Sequence, residues 1–160
     1  MKKKHVALFC VLSFLLIVTV WVFALDYPSL PERVPTHFNA AGKPDAWGSK
    51  ATLLLFPGLQ VLFFGISLIV YRYPNYANIP FTIALKYLPR EIMEKAYELM
   101  RDTILITMCI TSFLMLYLSR ESLGVAKGLT TAIDLLPMWI ILVCLAPPTV
   151  YYAIKMRRLG

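Results

Sequence analysis

The sequence predicts an all-α membrane protein with four transmembrane helices and a small extracytoplasmic hairpin-like loop between helices 1 and 2. Hydrophobic residues occupy 59% of the 160 positions and charged residues only 16%, a composition outside the range of soluble globular domains. Four apolar stretches also approach the roughly 20 residues that a helix needs to cross a hydrocarbon core about 30 Å thick. A polar, proline-rich segment separates the first two stretches.

Each apolar stretch predicts one span. The spans are expected at residues 5–25, 51–71, 103–119 and about 131–154. The first span follows a basic start and is longer than the apolar run of a secretory signal, so we expect it to remain as an uncleaved helix. In the second span, Gln60 is the only strongly polar side chain. The third is short, and Asp134 and three prolines interrupt the fourth.

We expect a single membrane domain, residues 1–160, built from two halves. Residues 1–72 form the first helical hairpin, with a motif loop at 26–50. Residues 73–160 form a cytoplasmic amphipathic helix and the second helical hairpin. Turns are expected at Pro74 and Pro80, and Pro89 as the first residue of the amphipathic helix, since proline is favoured there. Ile92, Ala96 and Met100 follow at helical spacing and predict one apolar face that continues into the third span.

Lysine and arginine are unevenly divided between the two predicted sides of the membrane. One side carries eleven of them: Lys2, Lys3, Lys4, Arg72, Lys86, Arg90, Lys95, Arg101, Lys155, Arg157 and Arg158. The other carries five: Arg33, Lys43, Lys50, Arg120 and Lys127. Because cytoplasmic segments keep the excess of basic residues, both termini are predicted to be cytoplasmic. The net charge of +7 is then explained by topology and anionic lipid, and we expect no nucleic-acid partner.

The motif loop predicts a hairpin on the outer membrane surface. Residues 34–38 favour a strand, residues 39–42 a turn, and residues 45–47 an antiparallel return. Ser49 is placed to cap the second helix. The candidate ligand-binding or loop-organising residues are His37, Asn39, Gly42, Asp45, Trp47 and Lys50. These side chains are expected to form either an internal hydrogen-bond network or a shallow ligand face.

Asp134 is an acid about three positions inside the fourth apolar run. A charge inside a span is costly and usually points into the bundle with a partner. Asp134 is therefore either exposed at the outer interface or a buried partner of His37, Arg33 or Lys50. In the second case it would tie the loop to the bundle.

Catalysis and metal binding have little support in the sequence. One histidine with Asp45 and Asp134 falls short of the ligand set of catalytic zinc, and HExxH is absent. No serine lies in a GxSxG context. Cys10, Cys109 and Cys144 lack CxxC spacing and are expected to act as small hydrophobic residues. We expect a non-enzymatic protein without a metal or cofactor.

The segment LPERVPTHFNAAGKPDAWGSK, residues 30–50, resembles the motif of the domain of unknown function 1648 family of bacterial and archaeal membrane proteins. The matching positions are Pro31, Val34, Pro35, His37, Phe38, Asn39, Gly42, Asp45, Trp47, Ser49 and Lys50. The same domain forms the N-terminal part of longer membrane proteins that protect sporulating cells from a secreted killing-factor peptide. The resemblance implies a multi-pass protein of the prokaryotic cell (inner) membrane with an outer recognition loop.

Two functions are favoured at this point, ahead of an outer-face metalloenzyme as a third. The first is immunity-like or sensor-like binding of a peptide or lipid by the outer loop. The second is transport of a small solute, or an accessory role in a membrane complex, since Pro57-Gly58 and Pro147-Pro148 are able to break helices as transporters require. The expected partners are the lipid bilayer, and a secreted peptide or another membrane protein. A homo-oligomer is compatible with both functions.

Overall fold

The structure is a computed structural model that describes residues 2–74 and 89–158. Within them lie five α-helices: α1 Lys3–Asp26, α2 Leu55–Arg72, α3 Arg90–Ala126, α4 Leu135–Val143 and α5 Ala146–Arg157. Between α1 and α2 lie two strands, β1 Arg33–Phe38 and β2 Pro44–Ser49, flanked by short 3-10 segments at Tyr27–Ser29 and Lys50–Leu54. The turn predicted at Pro80 falls outside the described residues.

In the described part of the chain, four helical segments are long and apolar enough to cross a membrane. They are Lys3–Ser29, Lys50–Arg72, Arg90–Ala126 and Leu135–Arg157, the last of which combines α4 and α5. By length and composition, the four predicted helical spans are confirmed. The chain has the features of a multi-pass membrane protein.

Helix α3 is the central element of the bundle. Its 37 residues give a length of about 55 Å at 1.5 Å per residue, which exceeds the roughly 30 Å of a hydrocarbon core. The predicted amphipathic segment therefore continues without a break into the third span. Pro89 is the residue that precedes this helix, and its carbonyl accepts the first N–H groups, from Ile92 and Met93. Helices α1, α2, α4 and α5 all pack against α3.

The bundle has two distinct ends, which we call the terminal end and the hairpin end. At the terminal end, Ala96 and Met100 of α3 pack with Tyr152 and Met156 of α5, and His5 of α1 contacts Asp102. At the hairpin end, one apolar cluster joins α1, the loop after it, β1, the start of the second span and the end of α3. Its buried members are Phe23, Leu30, Val34, Leu53, Leu123 and Ala126.

The fourth span is shorter than predicted at its start and is broken in the middle. Asp134 does not lie inside the helix, because it is the residue that caps α4: its carboxylate accepts the N–H of Leu136 at 2.9 Å. Helix α4 ends at Val143, and α5 begins with Pro147 and Pro148 in its first turn. Proline is tolerated there because the first N–H groups of a helix have no partner within it.

Candidate functional site

The chain between α1 and α2 forms a two-stranded antiparallel hairpin. Arg33 pairs with Ser49, Val34 with Gly48, and Pro35 with Trp47. The register shifts on both sides of His37, as at a β-bulge, which bends the strand and redirects its side chains. Val34 and Pro35, which precede the shift, are both buried, while His37 is exposed. Ser49 accepts the N–H of Ala51 at 3.3 Å and so caps the 3-10 start of the second span.

Asn39 organises the turn of the hairpin. Its side-chain oxygen accepts the N–H groups of Ala41 at 2.9 Å and Lys43 at 3.2 Å. Its backbone N–H donates to the carbonyl of Lys43, and its own carbonyl accepts from Gly42, both at 2.9 Å. One asparagine thus satisfies three backbone N–H groups other than its own, as side chains of this type commonly do in turns.

Gly42 holds the turn against the bundle. It adopts a φ of +73°, which glycine reaches without the steric penalty of other residues. Its carbonyl accepts the N–H of Ile133 at 2.9 Å, and Ile133 lies in the connection between α3 and α4. A Cβ on Gly42 would stand 2.2 Å from the Ile133 carbonyl oxygen, so the two backbones approach as closely as glycine allows.

Lys50 fastens the base of the hairpin. Its ammonium pairs with Glu32 at 2.8 Å, and its backbone N–H donates to the carbonyl of Glu32 at 3.1 Å. The same ammonium lies 5.5 Å from the ring centroid of Tyr27, within the range of a cation–π contact. Lys50 therefore connects the entry and exit of the hairpin to the end of α1.

The remaining three candidate residues are exposed. His37 Nδ1 lies 2.5 Å from Asp45 Oδ1, and the side chains are 68% and 42% exposed. Trp47 is 51% exposed. An exposed pair of this kind contributes little to stability, at most about 1 kcal/mol. Among the described residues, Asn39, Gly42 and Lys50 shape the hairpin, while His37, Asp45 and Trp47 leave chemistry available on its surface.

Asp134 is not the buried partner of the loop that one prediction placed there. Its side chain is exposed and is used as the cap of α4, as described above. Its backbone N–H donates to Glu121 at 3.0 Å, and its carbonyl accepts the hydroxyl of Tyr117 at 2.6 Å. The neighbouring residue Ile133 makes the link to the hairpin instead, through its backbone.

A groove of about 400 Å³ separates the hairpin from the helices beneath it. Its lining comes from β1, the start of the second span, α3 and the connection after α3. The residues are Pro35, Thr36, Phe38, Thr52, Leu53, Leu55, Phe56, Leu118, Ser122 and Ile133. The volume is in the range of small-ligand pockets, which are mostly apolar with a few polar groups. Sequence reasoning missed this groove because its walls come together only in the tertiary fold.

Metal binding finds no further support in the described ranges, where no three His, Cys, Asp or Glu side chains are grouped as ligands. Cys10, Cys109 and Cys144 are free thiols.

The fold and the site thus place the chain in the class of multi-pass helical membrane proteins, with a hairpin packed on one end of the bundle. Residues 14–61 match the family described as domain of unknown function (DUF1648), which confirms the resemblance predicted from the motif. An uncharacterized protein of Archaeoglobus fulgidus is similar, with 38% identity over 78 residues. That alignment spans 43% of this chain and 43% of the relative, less than half of either. No solved structure matches the chain.

Proposed function

We propose that this chain is a non-enzymatic membrane protein of the prokaryotic cell membrane, whose hairpin recognises a peptide at the outer face, in an immunity-like or sensor-like role. The observation that carries the proposal is the apolar groove beside the exposed strands of a well-anchored hairpin. An apolar side chain of a peptide fits the groove, and the His37–Asp45 pair offers polar contacts nearby. A lipid would need the groove but not the strands and the polar pair.

The outer location rests on the distribution of basic residues. Eleven Lys and Arg residues fall on the predicted terminal side and five on the hairpin side, which favours a cytoplasmic terminal end. An Ala41→Cys variant in a background without Cys10, Cys109 and Cys144 tests this. Ala41 is exposed at the turn, so a membrane-impermeant thiol reagent is expected to label it in intact cells. Labelling only after lysis would place the hairpin inside and remove the proposal.

The same contacts support a proposed route for signal transmission. The hairpin is attached through Ile133 to the connection that leaves α3, and Leu123 near the end of α3 belongs to the same cluster as Val34. A ligand in the groove that repositions the hairpin would act on the end of α3, which extends as one helix to the terminal end. The proposed response is a shift of the amphipathic first turns of α3.

Peptide binding is tested by selecting peptides from a displayed library on the protein in lipid nanodiscs. Affinity for a selected peptide is then measured with Thr52→Phe, which adds a ring in the groove, and with Thr131→Phe, an exposed threonine outside it. Thr52 also donates to the carbonyl of Ser49 at 2.7 Å, so Thr52→Val removes that bond without filling the groove. We expect only Thr52→Phe to abolish binding. An equal loss of peptide affinity in Thr131→Phe would contradict the proposal. So would a selection that enriches no peptide, together with lipid occupying the groove.

A small-solute transporter, or an accessory subunit of one, is the second candidate, and one observation favours it. Gln60 of α2 is buried, with 1% of its surface exposed, and its amide nitrogen donates to the carbonyl of Ser112 in α3 at 2.7 Å. Its side-chain oxygen has no hydrogen-bond partner among the described residues. Polar groups buried in a span commonly mark solute pathways. Uptake of labelled solutes into proteoliposomes, lost in Gln60→Met, would support transport over recognition.

A further inference from the structure

A second groove, of about 640 Å³, lies at the terminal end between α1 and α5, with α3 as its floor. The α1 wall consists of Ala7, Leu8 and Val11 above Lys4, the floor of Asp102, Thr103 and Ile106, and the α5 wall of Pro147, Pro148 and Tyr151. All but two of these residues are uncharged. The two charged ones, Lys4 and Asp102, pair at 2.5 Å and lie at the end of the groove nearest the N-terminus of α1. The groove is therefore apolar along its length and ionic at one end.

Both walls continue beyond this end into basic residues. Lys3 precedes Ala7 by four residues, and Lys155 follows Tyr151 by four, so each lies one turn along the same helix face. The Lys155 ammonium is 5.7 Å from the Tyr151 ring centroid, and Arg158 comes three residues later. The basic residues of α1 and α5 thus follow the lining of the groove at the same end of the bundle.

The acids nearby do not neutralise these cations. Glu98 pairs with Lys2 and Lys4, and Asp102 with Lys4 and His5. Within residues 2–74 and 89–158, none of Lys3, Lys155 and Arg158 has an ion-pair partner. The Lys155 ammonium has a cation–π contact instead. The mouth of the groove carries a net positive charge at the depth where the apolar walls end.

An apolar slot with uncompensated cations at its end matches the chemistry of a lipid with an anionic head group. Basic pockets between transmembrane helices bind such head groups, because the phosphate is drawn to the cations while the chain remains in an apolar environment. A second copy of the chain would fit less well, since two copies meeting at this face would bring the same cations together. We propose that this groove binds one anionic phospholipid, with an acyl chain between α1 and α5 and its phosphate at Lys3, Lys155 and Arg158.

The acyl part of the site is tested by Val11→Phe, which fills the groove, against Val61→Phe on α2. Both valines are exposed, at 45% and 56%, and Val61 lies outside the groove. Native mass spectrometry of the protein, released from mild detergent, measures how much added dioleoyl phosphatidylglycerol or dioleoyl phosphatidylcholine each variant binds. We expect one phosphatidylglycerol per chain, with affinity lowered about tenfold in Val11→Phe, which excludes about two methylene groups from contact. Val61→Phe should bind as the unmodified chain does.

The ionic part is tested by the double variant Lys3→Gln/Arg158→Gln against Arg33→Gln/Lys43→Gln, two exposed cations of the hairpin. Each cation near an anionic group contributes about fivefold in affinity, so the loss of two cations should lower the preference for phosphatidylglycerol over phosphatidylcholine roughly 25-fold. The hairpin variant should keep that preference.

Three outcomes would overturn the proposal: equal effects of Val11→Phe and Val61→Phe, an anionic preference that both double variants reduce alike, or a dimer that Val11→Phe dissociates without any bound lipid. The last outcome would assign the groove to a second copy of the chain. None of these measurements depends on the function of the hairpin.

Discussion

The backbone N–H of Ile133 donates to the carbonyl of Gly42 at 2.9 Å, and the Ile133 carbonyl oxygen lies 2.2 Å from the position that a Cβ on Gly42 would occupy. The tip of the hairpin is therefore fixed to the connection between α3 and α4 by backbone contact. Since Gly42 also has a φ of +73°, both its conformation and its surroundings exclude a side chain.

Gly42→Ala is expected to release the hairpin tip from the bundle. The left-handed backbone alone costs an alanine about 1 kcal/mol, and displacing the Ile133 backbone adds to this, for a total on the order of 2 to 3 kcal/mol. Thermal unfolding in detergent measures the loss of stability. Hydrogen exchange at Ile133 should show the broken bond.

Gly128→Ala is the matched control. Gly128 has the same φ of +73°, but nothing lies within 4 Å of the position of its Cβ. We expect only the conformational cost of about 1 kcal/mol and no change in exchange at Ile133. Equal stability of the two variants would show that the contact with Ile133 does not hold the hairpin.

His37→Ala and Trp47→Ala are expected to reduce peptide binding without altering stability. Both side chains are exposed, and an exposed ion pair contributes at most about 1 kcal/mol. The melting temperature should therefore stay close to that of the unmodified chain, while affinity for a selected peptide falls. Variants that fold and bind normally would remove these two residues from the recognition surface.

Asp102→Ala is expected to destabilise the terminal end. His5 is 2% exposed, and its Nε2 lies 2.7 Å from the Asp102 carboxylate, while its Nδ1 has no partner among the described residues. Removing the carboxylate leaves a buried ring without a hydrogen bond, which costs about 1 to 3 kcal/mol. Asp102→Asn, which keeps an acceptor, should recover part of the loss.

Glu98→Ala supplies the comparison at the same end, because the ion-pair partners of Glu98 among the described residues are the exposed Lys2 and Lys4. Its loss should cost less than about 1 kcal/mol. Chemical unfolding followed by tryptophan fluorescence ranks the variants. A Glu98→Ala effect as large as that of Asp102→Ala would mean that the burial of His5 is not what matters.

Gln60→Met is expected to change stability little. Among the residues that the structure describes, the amide makes one hydrogen bond, to the carbonyl of Ser112. Such polar contacts between helices in a membrane contribute about 0.6 kcal/mol on average. Methionine fills a similar volume with an apolar chain, so the unfolding midpoint should shift by less than about 1 kcal/mol. Gln60→Ala, which leaves a cavity, should cost about 2 kcal/mol or more. A loss of about 2 kcal/mol or more in Gln60→Met would contradict this expectation, since it would show that the amide makes a contribution that volume alone does not replace.

The helical part of the fold follows from local sequence because each span contains a long apolar run, although Asp134 and three prolines interrupt the fourth. The continuity of α3 was likewise predictable, since the spacing of Ala96 and Met100 leads without a breaker into the third span. Asp134 was left between exposure and burial because an acid at the start of an apolar run can be either inside the helix or its cap. Only the start of the helix distinguishes these, and Asp134 is the exposed cap of α4. On which side of the membrane the hairpin lies remains a prediction.

The candidate site was less predictable than the helices. Asn39, Gly42 and Lys50 were identified as a group from their motif, but their separate roles depend on contacts with Lys43, Ile133 and Glu32. The contact with Ile133 joins positions 91 residues apart, and no local pattern marks it. Both grooves are lined by residues from several elements, so neither can be predicted from one segment of the sequence at a time.

The central place of α3 also sets an order of events during biosynthesis. Helices α1 and α2 each pack more extensively on α3 than on each other, yet both leave the ribosome before α3. Gln60 is made 52 residues before Ser112, its hydrogen-bond acceptor. We therefore expect the first two spans to enter the bilayer as a loosely associated pair that quality-control proteases can still recognise. Pulse-chase labelling should find a chain truncated after Arg72 short-lived and one truncated after Ala126 durable, and equal half-lives would contradict this order of assembly.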